Sequence, residues 1–570
     1  MDINNSTRGL KAIPSTLKAL YRTLSPERVI VFWLLISIST ILFFSALISF
    51  NSRFLTTVPS YGGDITEGII GTPRFINPVL ATSEQDEDLT ALVYAGLTKK
   101  GELGTNELDM AESVTENENK LRYTVVLKST ARFHNGTNVT VDDIIYTINL
   151  IQNPNIKSPH RIEWEGITME KISAAEMVFS LKKPYPLFMD NLTIGILPKN
   201  VWKNLNDEQF SLSAYNINAI GSGPYKIKDI KSTSGIPHTF ILEAHKSYTL
   251  GRPYIDMLTI STYQSERYAI AAFNNGDIDR IHGLSPESVT SLGVSPSQIH
   301  TSLLPRTFTV FFNANKAPAL SEKKVRQALS HAINKEAIVQ TVLNNYGKAI
   351  NAPYPFDEDV ASSTYNKELA ITLLKESKAF KASDTIEITL ATANTDEMRR
   401  VAEMIKTDWE AVGVQTTLAV YEVSDLNQSV IRERNFQALL YGSITETPSD
   451  LYAFWHSSQR NYPGLNISNY VSNELDKNLE ILRTDSDILK TAAAYDEVRQ
   501  EFADEVPGIF LFAPSLIYIS KDKATTLLPS VSYTNASRFA LVHMWHRYSE
   551  RVWPKTYYKQ VIQIVENTIH

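Results

Sequence analysis

The sequence predicts an α/β protein that follows one membrane-spanning helix. An uncharged run of β-branched and aromatic residues, Thr307–Phe312, is typical of a buried strand, and two segments with helical spacing of apolar residues follow it. Further along, a strand, a helix and a strand alternate between Asp384 and Tyr421, an order that favours parallel pairing. The third observation is the uncharged run Val29–Phe50 near the N-terminus.

The N-terminal run has the length of a membrane-spanning helix. At 1.5 Å per residue, Val29–Phe50 extends about 33 Å, against a hydrocarbon core of roughly 30 Å. Residues 1–28 carry five basic and two acidic side chains, so the positive-inside tendency places them in the cytoplasm. We expect a single-pass protein of the cell membrane whose globular part lies on the outer, extracytoplasmic face. A cleaved signal peptide stays open as an alternative, although the run exceeds the usual apolar core of such peptides.

Composition excludes several functional classes. The chain has 570 residues, of which 43% are hydrophobic and 21% charged, which is ordinary for a globular protein with a large core. A net charge of −7 without a long basic run argues against nucleic acid as a partner. The absence of cysteine removes disulfides and thiolate chemistry, and the sequence contains neither H-E-x-x-H nor G-x-S-x-G. We therefore expect no catalytic residues, no metal site and no cofactor, and thus no enzyme.

The central stretch from residue 307 to 347 contains a complete strand–helix–helix unit. After the strand, Ser321 can accept from the free N–H groups of a first helix, and Asn334 can cap a second. Gly347 suits the left-handed residue that ends the second helix. The apolar faces of these helices are predicted to consist of Val325, Leu329, Ala332, Ile333, Ile338, Val339, Val342 and Leu343.

Other elements follow from the same periodicities. Thr140 with Asp143 three residues later resembles a capping box that opens a helix. His134 has no His, Asp or Glu at ligand spacing, so a structural role is expected for it. Gly413 is predicted to end the helix before it. The predicted strands are Asp64–Ile70, Leu121–Leu127, Asp384–Ala393 and Val414–Tyr421, and the predicted helices include Asp86–Leu97 and Thr395–Val412.

Several motifs resemble those of the family 5 solute-binding proteins, the dipeptide-, oligopeptide- and nickel-binding receptors of ABC importers. FFNANKAPALSEKKVRQALSHAINKEAIV (311–339) is similar to the family's central segment. FHNGTNVTVDDI (133–144) is similar to one of its most recognisable motifs, and GSGPYKIKDI (221–230) to the segment that returns the chain to the first lobe. The motifs stand in the family's order, and the resemblance covers about residues 62–522.

The resemblance implies a two-lobed fold of the periplasmic-binding type (type II, family 5) with an extra N-terminal subdomain. Strands Phe308–Phe312 and Ile509–Phe512 are expected to cross between the lobes. The expected division is a cytoplasmic N-terminus (1–28), a transmembrane helix (29–50), a tether (51–61), lobe I (62–308) with an inserted subdomain at about 86–200, lobe II (309–508), and a return to lobe I with a C-terminal tail (509–570).

The implied function is that of an extracytoplasmic receptor. It would capture peptides between its lobes and deliver them, as a monomer, to an ABC permease and its ATPase subunits. Two alternatives stay open. The solute could be something other than a peptide, such as a blocked peptide, a sugar or a metal chelate, or the protein could be a membrane-tethered chaperone or scaffold that binds extended polypeptide segments.

The resemblance also implies a ligand site, with one departure from the family pattern. In peptide-binding members, an Asp four residues before the Pro of a P-D loop holds the ligand's α-ammonium, and counting back from Pro448 that position is Ile444. Isoleucine cannot hold an ammonium, so Glu446 is the nearest acid that could, unless it points to solvent. The expected ligand-binding residues are Thr82, Ser83, Glu84, Phe312, Asn313, Tyr441, Ser443, Ile444, Thr445 and Glu446.

Overall fold

A computed structural model describes residues 25–102, 104–183, 188–357, 365–383, 385–462, 464–485, 487–521, 524–529, 532 and 534–554. The chain divides into two compact units. One consists of Met1–Ser60 and Ser549–His570, and the other of Tyr61–Tyr548.

The smaller unit contains one long exposed helix, α1 (Pro26–Phe54), with proline in its first turn, where the missing N–H costs no hydrogen bond. Strand β1 (Thr56–Ser60) follows the helix and pairs with the strand Tyr548–Val552 near the C-terminus. The segment Pro26–Leu47 is long and apolar enough to cross a membrane, and none of it is buried. The predicted span 29–50 is therefore a helix of suitable length and composition.

The larger unit alternates strands with mostly short helices. Its strands are β2 (Asp64–Ile70), β3 (Thr98–Lys100), β4 (Asn106–Leu108), β5 (Ala111–Glu116), β6 (Arg122–Leu127), β7 (Thr168–Lys171), β8 (Glu176–Ser180), β9 (Tyr225–Thr233), β10 (Ile236–Ala244), β11 (Met257–Tyr263), β12 (Arg280–His282), β13 (Ile299–Leu303), β14 (Arg306–Phe312), β15 (Gly347–Ala349), β16 (Ile386–Ala393), β17 (Val414–Tyr421), β18 (Ala438–Ile444) and β19 (Gly508–Ser520). The strand Tyr548–Val552 is β20.

The helices connect these strands and cover them. They are α2 (Glu84–Val93), α3 (Val141–Gln152), α4 (Phe188–Asn191), α5 (Lys199–Trp202), α6 (Asp207–Leu212), α7 (Glu266–Asn275), α8 (Pro286–Ser291), α9 (Lys323–Ala332), α10 (Lys335–Val342), α11 (Lys367–Glu376), α12 (Lys378–Ser383), α13 (Asp396–Glu410), α14 (Val423–Asp425), α15 (Leu451–Trp455), α16 (Asn473–Thr484) and α17 (Ile488–Glu505).

A mixed sheet of twelve strands organises the larger unit. Its order is β17-β16-β18-β14-β19-β12-β2-β11-β10-β9, and β13 and β15 also pair with β19. Strand β19 is thirteen residues long, and its first part pairs with β14 while its last part pairs with β12. It therefore lies between the two halves of the sheet and pairs with both. A separate four-stranded sheet, in the order β5-β6-β8-β7, comes from residues 111–180.

The C-terminal segment of this unit packs tightly. Phe539 and Trp545 belong to the same buried cluster as Leu89 and Leu92 of α2. The indole N–H of Trp545 donates to the carbonyl of Leu527 at 2.9 Å, so even its polar atom is satisfied inside. Phe539 and Trp545 thus belong to the core of the larger unit.

Most of the predicted elements are confirmed to within a few residues at their ends. Strands β2 and β17 have the predicted bounds, and β16 and β17 pair in parallel as expected. Thr140 and Asp143 form the expected capping box before α3. His134 has a structural environment, because its ring bonds the backbone of Gly221 and Gly223.

Two local predictions in the central stretch are wrong. Ser321 ends a short 3₁₀ turn and donates its hydroxyl to the carbonyl of Pro318, so it does not cap α9. Gly347 is not left-handed, because Asn344 and Asn345 take the positive φ values of 48° and 65° after α10. Gly347 is needed for a close approach instead, since a Cβ there would lie 2.8 Å from the carbonyl oxygen of Ala513.

A fully buried ion cluster joins three distant parts of the chain. The Arg538 guanidinium is 0% exposed and donates to both carboxylate oxygens of Asp88 at 2.6 and 2.7 Å. It also donates to Oε1 of Glu67 at 2.8 Å, and the Tyr518 hydroxyl donates to the other oxygen of Glu67 at 2.5 Å. Burial alone would lower the pKa of Arg538, but the two carboxylates outweigh it and raise that pKa.

We expect Arg538→Ala to lower the free energy of unfolding by about 3–5 kcal/mol, because it leaves two buried carboxylates without their cation. The matched control is Arg400→Ala, which removes an exposed guanidinium 3.5 Å from Glu287 and should cost at most about 1 kcal/mol. Urea unfolding of the full chain in detergent measures both values. Equal losses in the two variants would contradict the structural role of the buried cluster.

Candidate functional site

A cavity of about 550 Å³ lies in the larger unit. Its walls come from α2, from the segments 160–164 and 190–195, from the loop after β18, and from the C-terminal segment at Thr534 and Ser537. The size suits a small organic ligand, for which sites of 300–1,000 Å³ are usual.

One face of α2 forms the first wall. Ser83 caps the helix by accepting from the N–H of Asp86, whose carboxylate returns to the backbone N–H of Ser83 at 3.3 Å. The residues that line the cavity are spaced three and four apart, as neighbours on one helical face are. They are Glu87, Thr90, Ala91 and Tyr94. The opposite face is fixed to the core by Leu89, Leu92 and the buried Asp88.

Two hydroxyl groups on this wall have no partner among the described residues. They are Oγ1 of Thr90 and the phenolic oxygen of Tyr94, and both oxygens are buried. Tyr94 is only 4% exposed, and burial raises the pKa of its hydroxyl, which therefore stays protonated at neutral pH. A buried hydroxyl without a partner costs free energy, so both groups are available to a ligand.

The second wall holds one ion pair and one contact between a histidine and a carboxylate. Lys100 donates to Asp190 at 2.5 Å, and the side-chain amide of Asn106 donates to the same carboxylate oxygen at 2.5 Å. The ring Nδ1 of His160 lies 3.0 Å from a carboxylate oxygen of Glu163. These contacts use the two basic side chains that line the cavity.

The third wall is the loop that follows β18. Directly before it, Ile444, the last residue of β18, is 52% exposed and lines the cavity. The backbone N–H groups of Glu446 and Thr447 both donate to Oδ2 of Asp450 at 2.8 Å. Asp450 thus closes the loop into a tight turn and places Glu446 on the cavity wall.

The cavity contains more negative than positive groups. Burial raises the pKa of Glu446 to about 7, and Asp450 adds to the rise while Lys100 opposes it. Burial likewise raises the pKa of Glu87 to about 6, with Asp88 and Glu84 adding to the rise. A cation entering the cavity would stabilise both carboxylates in their charged form. The electrostatics therefore favour a positively charged ligand group.

Two of the predicted ligand-binding residues line this cavity, namely Ile444 and Glu446. Thr82, Ser83 and Glu84 lie at the N-terminus of α2 instead, where Thr82 and Glu84 are exposed and Ser83 serves as the cap. Ala81, directly before them, lines the cavity.

Three further predicted residues alternate with Ile444 along the strand and so lie on its other face. The Tyr441 hydroxyl donates to the side chain of Asn427 at 3.2 Å. Ser443 donates to the carbonyl of Thr307 at 3.5 Å, and Thr445 is 1% exposed. The structure does not bring these three side chains together with Ile444.

Phe312 and Asn313 lie in the interior at the far end of β14. Phe312 packs in a hydrophobic cluster with Val310 and pairs with Ala438, while Arg306 pairs with Ile444 six residues away. At about 3.4 Å per residue, this places Phe312 roughly 20 Å from Ile444 along the strand. The side-chain amide of Asn313 donates to the carbonyl of Arg434 at 2.9 Å.

Comparison with known proteins establishes the family. Residues 106–463 match the model of the bacterial extracellular solute-binding proteins, family 5 Middle. The chain belongs to this family. The resemblance in the motifs and the predicted fold class are thereby confirmed.

Relatives extend the likeness over most of the chain. The oligopeptide-binding protein AppA of Bacillus subtilis (strain 168) is 29% identical over 80% of this chain and 87% of its own length. The dipeptide-binding protein of Escherichia coli (strain K12) is 24% identical over 77% of this chain and 87% of its own.

Solved structures agree with the fold. AppA from Bacillus subtilis in complex with a nonapeptide has a TM-score of 0.64 at 26% identity, covering 86% of this chain and 100% of its own. The substrate-binding protein CtaP from Listeria monocytogenes covers the same shares with a TM-score of 0.73 at 23% identity, a likeness of fold alone.

In this family 5 member, the sequence did not identify Glu87 and Tyr94 as site residues. Both lie on one stripe of α2, but the sequence alone does not show which stripe of that helix faces the core. The adjacent acids Glu87 and Asp88 are the signal in the sequence that points to them. Neighbouring residues of a helix point in different directions, so when one acid is buried against a cation the other faces elsewhere. Within the described residues, no cluster of His, Asp and Glu has the geometry of a metal site.

We expect Glu446→Gln to stabilise the ligand-free protein at pH 8 but much less at pH 5. In the folded state the pKa is about 7, above its ordinary 4.5, so the unfolded chain releases this proton first as the pH rises. Stability conferred by the protonated group is present below pH 4.5 and is lost as the pH rises through 7. Glutamine does not ionise, so the variant does not lose this stability as the pH rises.

Urea unfolding of the ligand-free full chain in detergent at both pH values tests this. The control is Glu118→Gln, at an exposed turn residue, whose effect should be the same at the two pH values. The interpretation fails if Glu446→Gln shows no greater gain at pH 8 than at pH 5.

Proposed function

We propose that this protein is an extracytoplasmic receptor that captures peptides and delivers them to an ABC permease and its ATPase subunits. The observation that carries the proposal is the cavity, which has room for several ligand residues and presents Glu446 as a carboxylate without an ion partner among the described residues. Relatives that are named oligopeptide-binding and dipeptide-binding proteins support it.

The cavity would lie between two lobes. In this proposal, Glu87 and Tyr94 belong to lobe I (62–308), Ile444 and Glu446 to lobe II (309–508), and the chain returns to lobe I over 509–570. Strands β14 and β19 connect the lobes, and their closure around a ligand would follow the hinge motion usual for such proteins. We expect the receptor to act as a monomer.

The chemistry of capture follows from the charge at Glu446. The α-ammonium of a free peptide offers three donors, and a carboxylate in a low-dielectric cavity accepts them as charge-assisted hydrogen bonds. Binding would restore Glu446 to its charged form, because a nearby cation lowers the pKa of a carboxylate. Asp450 is less free to do this, since its Oδ2 already accepts two backbone N–H groups.

We expect Glu446→Gln to weaken the binding of free peptides by roughly thirtyfold or more. Removing one partner of a buried charge pair costs about 2–5 kcal/mol, and each 1.4 kcal/mol is about tenfold in affinity. The same variant should bind N-acetylated peptides as the parent does. Calorimetric titration of matched free and acetylated tripeptides gives both ratios.

The position of Ile444 suggests the result that would contradict recognition of a free amine by Glu446. Its exposed apolar side chain lines the cavity where peptide-binding relatives carry an ammonium-binding acid. If the parent already prefers the acetylated peptide, the proposed role of Glu446 is wrong, and the ligand is an amine-blocked peptide or another solute.

We further propose that α1 anchors the protein, with residues 1–28 in the cytoplasm and the globular part outside. The apolar segment Pro26–Leu47 and the basic residues before it support this topology. Protease added to intact spheroplasts should release the globular part, and the membrane fraction should retain the full chain after alkaline washing. A mature N-terminus near residue 50 would show a cleaved signal peptide instead.

A further inference from the structure

Glu87 is a second carboxylate in the cavity whose charge the described residues do not balance. Its neighbours on α2 are acidic: Glu84 precedes it by one turn, and Asp88 is committed to Arg538 at 2.6 Å. Among the described residues, His160 opposes the rise in its pKa, but its ring already lies 3.0 Å from Glu163. The side chain of Glu87 has no ion pair or hydrogen bond among the described residues.

Glu87 and Glu446 lie on different walls of the cavity, Glu87 on α2 and Glu446 on the loop after β18. The charged groups that act on Glu446 are Asp450, Lys100, Asp190 and Glu163. Those that act on Glu87 are Asp88, Glu84, His160 and Asp86, and the two sets share no member. The two carboxylates therefore offer a ligand two positions for a cation, one on each wall of the cavity.

The unpartnered hydroxyl groups belong to residues on the same face of α2 as Glu87. Thr90 and Tyr94 follow it at three and seven residues along the same helical face, and Tyr94 is 96% buried. Hydroxyl oxygens accept hydrogen bonds, and a Lys ammonium or an Arg guanidinium brings three or five donors with no acceptor. The carboxylate of Glu87 and the hydroxyl oxygens of Thr90 and Tyr94 are acceptors that such a donor group could use.

We propose that Glu87, with Thr90 and Tyr94, forms a subsite for a Lys or Arg side chain of the bound peptide. The subsite rests on the proposed function, because it adds a second cation to a peptide whose α-ammonium is held at Glu446. The receptor then selects basic peptides over neutral ones of equal length. This selectivity is separate from recognition of the free amine.

The test uses the full chain in detergent and three pairs of tripeptides. Each pair carries Lys or norleucine, which has the same four-carbon side chain without the terminal ammonium, at the first, second or third position, with alanine elsewhere. We expect the parent to bind the Lys peptide at least tenfold more tightly in one of the pairs. Glu87→Gln should reduce that preference to about twofold or less and leave the affinity for the norleucine peptide unchanged. Unchanged norleucine binding also shows that the variant is folded.

Glu118→Gln is the control and should keep the parental preference. A parent that binds both members of every pair equally, or a preference that survives Glu87→Gln, would overturn the subsite. Failure of the proposed function looks different, because no tripeptide would then bind to the parent. A loss of free-amine discrimination in Glu87→Gln would also overturn the proposal, since the two carboxylates would then act as one site.

Discussion

The buried contact between Arg538, Glu67 and Asp88 determines how the cavity is built. Arg538 comes from the C-terminal segment, Glu67 from β2 and Asp88 from α2, so one guanidinium fixes three elements that are far apart in sequence. Burying these charges costs free energy. Five hydrogen bonds from Arg538 offset this cost, four to carboxylate oxygens and one to the backbone carbonyl of Asn535. Because Asp88 holds one face of α2 against the core, the face with Glu87 is turned toward the cavity. The segment around Arg538 also supplies Ser537 to the same wall.

Strand β19 is the second constraint. It is buried over most of its length and pairs with β14 and β15 in its first part and with β12 and β13 in its last part. A strand that pairs with both halves of a sheet keeps the two halves in register. The strand changes partners at its two half-buried residues, Pro514 and Ser515, which pair with Gly347 of β15 and Leu303 of β13. In the closure around a ligand that we propose, a bend at this point would bring the loop after β18 and the wall of α2 toward each other.

The sequence predicted the local structure well because the local signals are strong. The capping box of Thr140 and Asp143 and the strand that ends in Tyr421 need only neighbouring residues to be recognised. The prediction for Gly347 was wrong because its cause is the carbonyl of Ala513, which no local pattern reveals. The residues of the cavity also divide into those that local motifs predict and those that depend on distant contacts. Motif spacing led to Ile444 and Glu446, whereas the role of Glu87 depends on the contact of Asp88 with Arg538, 450 residues away.

The carboxylates of this protein fall into two groups with opposite effects. Asp88 and Asp190 have cations beside them and contribute to the folded structure. Glu446 and Glu87 lie in the cavity without one, and burial raises the pKa values of both, so that charging them costs free energy in the empty protein. The same free energy becomes available when a cation arrives, because binding restores the charged form that burial disfavours. A receptor that must hold its ligand and release it again benefits from storing this cost in the empty cavity.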